Sequence, residues 1–147
     1  MATTYTPRYI APSSIVPARR KLGAALWTVQ GLLALVFLAS GSMKLLAPAD
    51  VMEAQTPLPL LLVRFIGLCE VAGAFGLILP GVLRIRPGLT PLAAACQVVL
   101  MICATILTPI LIAPDPVMTS LPAMVGLLAA FVAYGRLRLA PLRSTVR

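Results

Sequence analysis

Charge is confined in this chain to a degree that few folds permit. Its 147 residues include 12 basic and 4 acidic side chains, and all but one stand near or beyond the ends of four apolar segments, 22–46, 58–79, 89–112 and 121–134. The exception is Glu70, close to the middle of the second. About 20 apolar residues cover the ~30 Å of a bilayer's hydrocarbon core, and the first three segments reach that length. The fourth is short, so it either begins nearer Val117 or stands less tilted than its neighbours. Period-two alternation is absent, and single runs of this length suit helices, which satisfy their backbone groups internally, and not barrel strands. The expected fold class is all-α: a four-transmembrane-helix bundle.

Composition agrees. With 60% hydrophobic and 11% charged residues, the chain holds more apolar side chains than one soluble core of this size can bury, so lipid must solvate the rest. The basic residues set the orientation. Arg8, Arg19, Arg20 and Lys21 precede the first segment, Arg84 and Arg86 separate the second from the third, and Arg136, Arg138, Arg143 and Arg147 follow the fourth. No Lys or Arg occurs in 47–59 or 109–121, which carry Asp50, Glu53 and Asp115. The positive-inside rule then puts both termini in the cytoplasm of a cell whose inner membrane holds the protein. Trp27 and Tyr134 fall near the cytoplasmic ends, where amphipathic rings prefer to lie. The net charge of +8 is accounted for by this pattern, so nucleic acid is not an expected partner.

Three regions follow: a disordered, Thr-, Ser- and Pro-rich cytoplasmic tail over 1–21, a membrane domain over 22–138, and a basic cytoplasmic tail over 139–147. The first apolar segment is long enough to span and has no clear cleavage site, so it is expected to be retained. Pro and Gly mark the turns: Pro48, Pro57 and Pro59 in the first outer loop, Pro80-Gly81 and Pro87-Gly88 around the inner loop, and Pro109, Pro114, Pro116 and Pro122 in the second outer loop. Gly67, Gly73 and Gly76, with Gly31, Gly41 and Gly126, offer small faces for close helix approach.

A carboxylate at mid-bilayer is costly and is retained where it faces other helices, a partner or a cavity. Counting 1.5 Å per residue puts Glu70 about 16 Å below the outer end of its helix and Gln97 about 12 Å above the inner end of the next, so the two are candidate hydrogen-bond partners at the midplane. Lys44 and Arg64 lie nearer the outer boundary, at depths comparable to Ser40, Ser42 and Thr105, and together outline a polar vestibule. Arg64 and Glu70 are six residues apart, some 120° around the helix axis, which is a poor intrahelical pair. Lys44 near a helix end would ordinarily snorkel outward to the interface. Glu70 is therefore the candidate catalytic residue, as a proton-handling or ligand-polarising carboxyl, and Lys44, Arg64 and Gln97 are the candidate ligand-binding residues. The alternative for Glu70 is a hydrogen-bonded lock between helices.

Cys69, Cys96 and Cys103 form no close pair and read as small buried hydrophobes. No histidine is present, which removes imidazole ligation and the usual general base, so neither a metal site nor a resident cofactor is expected.

These residues also carry a resemblance. Phe37-Leu38-Ala39-Ser40-Gly41-Ser42-Met43-Lys44-Leu45, Arg64-Phe65-Ile66-Gly67-Leu68-Cys69-Glu70, Leu89-Thr90-Pro91-Leu92-Ala93-Ala94 and Phe131-Val132-Ala133-Tyr134-Gly135-Arg136, in that order, resemble the DoxX-like family of small membrane proteins. The resemblance implies a four-helix fold and an association with quinone-linked or thiol-linked redox systems. Many members carry a polar segment after the third helix, where this chain has the apolar Thr108-Pro109-Ile110-Leu111-Ile112-Ala113-Pro114. Two function classes stay open. The chain either binds a quinone or other apolar small molecule within the bilayer, with a cofactor-free isomerase acting by proton transfer through Glu70 as its enzymatic form, or it is a non-catalytic subunit whose Glu70 meets a membrane partner subunit or a second copy. A transporter is disfavoured because one four-helix bundle lacks paired repeats.

Overall fold

Apolar runs become helices in lipid because no water is there to take up free backbone groups. In the computed structural model, which describes residues 15–83, 86, 88–112 and 115–139 and side chains from Lys21 onward, the order is α1 (Ile15–Leu46), α2 (Ala49–Gln55), α3 (Leu60–Leu83), α4 (Leu89–Leu111) and α5 (Pro116–Tyr134). A π-helical turn, Gly135–Leu139, extends α5. No strand occurs among the described residues. The stretches Lys21–Leu46, Leu60–Leu83, Leu89–Leu111 and Pro116–Leu139 are each long and apolar enough to cross a membrane. The all-α, four-span expectation therefore holds. Expectations for residues 1–14 and 140–147, and for Arg84, Pro87 and Pro114, lie outside the described residues.

The helix ends differ from the expected turns in four places. First, α1 starts at Ile15, ahead of residue 22, with Pro17 in its first turn, where a helix leaves its N–H groups unpaired anyway. Second, α3 runs through Pro80-Gly81 to Leu83, with Pro80 buried inside it. Third, Pro109 lies within α4 and Pro122 within α5. A missing hydrogen bond at one proline is a smaller loss than unwinding backbone where only lipid and neighbouring helices surround it, so these prolines do not end their helices. Fourth, α5 begins at Pro116, because Asp115 caps it: the carboxylate accepts from the Val117 amide at 2.8 Å, and Pro116 takes the first helical position. The fourth span thereby gains its missing length. The first outer loop contains α2, an element that the sequence reading did not include; Met52 is buried on one side of it while Asp50 and Glu53 face outward.

The four long helices form a ring. α1 packs along α3 and α4 along α5; the α3–α4 and α1–α5 seams join the two pairs, and α2 lies against α3. The centre holds Leu33, Phe37, Ala74, Leu77, Ala94, Met101, Ala129 and Val132. Leu35, Leu61, Phe65, Ile110 and Leu127 are exposed on the outside, as a lipid-facing surface requires.

Small residues set the α1–α3 crossing. A Cβ on Gly41 would stand 2.7 Å from the Gly67 carbonyl oxygen, and one on Gly67 2.8 Å from Lys44 Cβ. Only glycine at both positions lets the backbones meet this closely, and that approach brings the end of α1 beside Glu70. Gly31, by contrast, has nothing within 4 Å of its Cβ position and sets no crossing.

Candidate functional site

Glu70 lies on α3 ten residues past its first residue, about 15 Å along the axis at 1.5 Å per residue. Its carboxylate is met by Lys44 from the last turn of α1: Nζ donates to Oε1 at 3.0 Å and Oε2 at 2.9 Å. The same ammonium donates to Ser40 Oγ, one turn earlier, at 2.6 Å. Lys44 therefore turns inward along α1 to the carboxylate instead of snorkelling to the interface. Attraction to a desolvated carboxylate outweighs the pull of the interface here, since a buried charge without a partner is the costlier arrangement. Exposure separates the roles within the pair. The Lys44 side chain is 29% accessible and that of Glu70 only 4%, so anything arriving from outside the bundle meets the ammonium first.

Arg64 has a different task. Its Nη1 donates to the carbonyl oxygens of Lys44, at 2.8 Å, and Leu45, and Nη2 donates to that of Ala47 at 2.6 Å. A helix end leaves its last carbonyls without intrahelical donors, and the forked guanidinium from α3 supplies several at once. Those contacts make Arg64 the C-terminal clamp of α1, positioning Lys44 through the backbone, and it neither bonds Glu70 nor lines the cavity described below.

Gln97 reaches Glu70 by another route than expected. From α4 its Nε2 donates to the Glu70 main-chain oxygen at 3.1 Å, not to the carboxylate. It is fully buried, and its Oε1 has no partner among the described residues. Gly73 makes room for it: a Cβ there would stand 2.1 Å from Gln97 Nε2. Gln97 is thus a strut between α4 and α3 at the depth of the ion pair, away from the cavity wall. Thr105 also turns back on its own helix, donating to the Met101 carbonyl at 2.7 Å. The vestibule expected from Lys44, Arg64, Ser40, Ser42 and Thr105 reduces to Ser40 and Lys44, with Glu70 behind them.

These three line a cavity of about 420 Å³. Its walls are largely apolar, from Val63 and Ile66 on α3 and Met101, Leu107 and Leu111 on α4, while Met52 of α2 and Thr56 belong to the connection between α1 and α3. The chamber lies in the half of the bundle bearing Asp50, Glu53 and Asp115, opposite the end where α1 begins. It combines largely apolar walls with one ion pair and a few uncharged polar side chains, Gln55 and Thr108 among them, a setting suited to an apolar molecule with a polar head. Cys103 also lines it. Cys96 and Cys103 are exposed and Cys69 is half-buried, which corrects the expectation of buried thiols.

A second polar cluster lies at the opposite end and was overlooked in the sequence. Gln30 is fully buried, donates through Nε2 to the Leu77 carbonyl at 2.7 Å and accepts at Oε1 from Arg136 Nε at 2.5 Å. Its signal was legible: Gln30 is a polar residue eight positions inside the first apolar segment. Arg136 entered there as one of several positive-inside charges and as the last residue of a resemblance motif, with no partner assigned.

The ordered motifs that carry the resemblance thus map onto contacts: Ser40 and Lys44 onto the ion pair, Arg64 onto the clamp, Glu70 onto the centre, and Arg136 onto the second cluster. No curated protein and no solved structure matches the chain. The sequence profile of the DoxX-like family matches residues 28–132, from the middle of α1 to late α5. This chain belongs to the DoxX-like family and is a multi-pass membrane protein.

Proposed function

We propose that the protein binds an apolar small molecule with a carbonyl-bearing head, a quinone being the simplest fit, in the cavity above the Lys44–Glu70 pair. The observation that carries this reading is the asymmetry of that pair inside an apolar chamber. A partly accessible ammonium is held on a buried carboxylate at the cavity wall; its three donors are engaged by Ser40 and the two Glu70 oxygens, so a ligand carbonyl is bound by exchange for one of the two Glu70 contacts. Lys44 donates to the ligand's carbonyl oxygen and stabilises negative charge that develops there on reduction or enolisation. Glu70 is the counter-charge that keeps Lys44 inward, and it supplies the proton-handling partner where the ligand undergoes proton transfer. Ser40 orients the ammonium. In this reading the cavity opens toward the non-cytoplasmic half of the cell inner membrane, with both termini cytoplasmic by the distribution of Lys and Arg.

Infrared difference spectroscopy on the detergent-purified protein with a short-chain benzoquinone tests this. Saturable binding should lower the quinone carbonyl stretching frequency, and the double variant Lys44→Met/Glu70→Gln should remove the shift while remaining helical. Absence of saturable binding, or an unchanged carbonyl band in the double variant, rejects the reading. N-ethylmaleimide labelling gives an independent readout: bound quinone should protect Cys103, which lines the cavity, and leave Cys96, which does not, reactive.

A further inference from the structure

We propose that the end of the bundle where α1 begins and α5 finishes carries an anion site centred on Arg136, and that its ligand is a phosphate group. Arg136 is only 5% exposed, in the π-helical turn that closes the fourth span. That turn packs tightly on α1: a Cβ on Gly135 would stand 2.6 Å from a Leu26 methyl. Its Nε donates to Gln30 Oε1, whose orientation is not free, because Gln30 Nε2 is committed to the Leu77 carbonyl of α3. The Trp27 ring covers one side of the guanidinium, with its centroid 5.2 Å from Cζ. Among the described residues, the groups that hold Arg136 are therefore neutral.

The counter-charge is missing, and the sequence shows that no acidic side chain supplies it. The chain has four acidic residues. Asp50, Glu53 and Asp115 lie at the other end of the bundle, and Glu70 is bound to Lys44. Arg136 Nη2 is buried with no hydrogen-bond partner among the described residues, and the same is true of Thr90 Oγ1, in the first turn of α4, the helix whose packing reaches the same π-helical turn. A buried guanidinium with an unfilled donor and no opposite charge needs an anion. Lys21, Arg86 and Arg138 stand exposed in the segments around this end and reinforce its positive potential. Phosphate fits best among anions: it offers several acceptor oxygens to a guanidinium fork and a hydroxyl at once, and it is the abundant anion at the headgroup level where the last turn of a membrane span lies. A phospholipid headgroup and free inorganic phosphate present the same chemistry to the site.

Trp27 is the single tryptophan of the chain, so its emission reports on Arg136 directly. The protein in a nonionic detergent is titrated with dihexanoyl-phosphatidylglycerol, with inorganic phosphate, and with dihexanoylglycerol, which has the same chains and no phosphate. A saturable emission change is expected from a phosphate-bearing probe and none from dihexanoylglycerol; saturation by inorganic phosphate alone identifies a free anion as the ligand, and saturation by the lipid only identifies the headgroup. Arg136→Gln should weaken the response by about tenfold or more and Thr90→Val by roughly threefold, with the exposed Glu53→Gln, on α2 at the opposite end, as an unchanged control. A wild-type protein that responds to neither phosphate probe overturns the proposal. So does an undiminished response in Arg136→Gln or, if that variant fails to fold, in Thr90→Val.

Discussion

Removing either member of the Lys44–Glu70 pair should destabilise the bundle, and by unequal amounts that follow from their burial. At a separation near 2.9 Å, an effective dielectric of about 20 gives an attraction on the order of 5 kcal/mol before any desolvation is counted. Part of that is offset by desolvation of the two ions, so the net worth of the pair is far smaller than the loss on breaking it. Lys44→Met leaves a carboxylate 4% exposed at mid-bilayer depth with no charged partner, and a loss of about 3–5 kcal/mol is expected. Glu70→Gln leaves an ammonium that is already 29% exposed, on a long stem near a helix end, still bonded to Ser40 and able to swing outward. Its loss should be about 1.5–2 kcal/mol, at the low end of the range for a forfeited charged hydrogen bond. In the double variant Lys44→Met/Glu70→Gln neither charge remains, and most of the Lys44→Met loss should be recovered, giving a coupling of roughly 2 kcal/mol or more. Reversible unfolding in mixed dodecyl maltoside and dodecyl sulfate micelles, followed by far-ultraviolet circular dichroism, supplies the three free energies. If Glu70→Gln is as damaging as Lys44→Met, or the double variant loses the sum of the singles, the assignment of Glu70 as the captive charge and Lys44 as the mobile one is wrong.

Gly73→Ala forces a methyl into Gln97 and should cost about 1–3 kcal/mol in the same assay, whereas Gly31→Ala, with open space around it, should be neutral or stabilising by up to about 1 kcal/mol. Equal effects at the two glycines would show that the α3–α4 seam is not set by that contact. Arg64→Met should free the carbonyls of Lys44, Leu45 and Ala47, costing about 1–3 kcal/mol and speeding amide exchange over the last turn of α1 and the chain that follows; unchanged exchange there would remove the clamp. Met52→Ala should enlarge the cavity mouth at little cost in stability, because α2 is a short helix that packs on the bundle chiefly through α3, and should raise the rate at which maleimide reaches Cys103. An unaltered Cys103 rate would mean that α2 does not restrict entry.

How much of this was readable in the chain depended on which residues a rule could reach. The four spans and the singular position of Glu70 followed from length, hydropathy and the cost of charge in lipid, and both stand in the structure. The depth of Gln97 was also legible, since rise per residue is fixed; the atom it bonds was not, because helix rotation decides whether a side chain meets a neighbour's carboxylate or its backbone. Lys44 ran against its local rule. Snorkelling is the default for a lysine near a helix end, and only the tertiary approach permitted by Gly41 and Gly67 brings the carboxylate close enough to override it. Pro80, Pro109 and Pro122 misled for a related reason: proline is a helix terminator where water can take over the freed carbonyl, and these lie where neighbouring helices and lipid stand instead. The start of α5 was within reach, since Asp115-Pro116 is a capping signal that hydropathy alone passes over.

The two ends of the bundle treat buried charge in opposite ways, and the difference bears on what each can bind. At the end holding α2, Lys44 and Glu70 neutralise each other, so a ligand there is selected by shape, apolar contact and a hydrogen bond from the ammonium, and need not be charged. At the other end Arg136 is held by an amide and an indole, both neutral, so its occupant must bring the negative charge itself. Between them the core is closed by Leu33, Phe37, Leu77 and Met101, which leaves no polar path from one cluster to the other among the described residues. The ion pair and the anion site are therefore expected to respond independently. Arg136→Gln should leave the quinone carbonyl shift at Lys44 intact, and Lys44→Met/Glu70→Gln should leave the Trp27 response to phosphate intact. Infrared and fluorescence titrations on the same preparations decide this. A variant at one end that abolishes binding at the other while remaining helical would show that the core transmits a change of helix packing, most directly through α1, which carries Gln30 and Lys44 on one rigid helix.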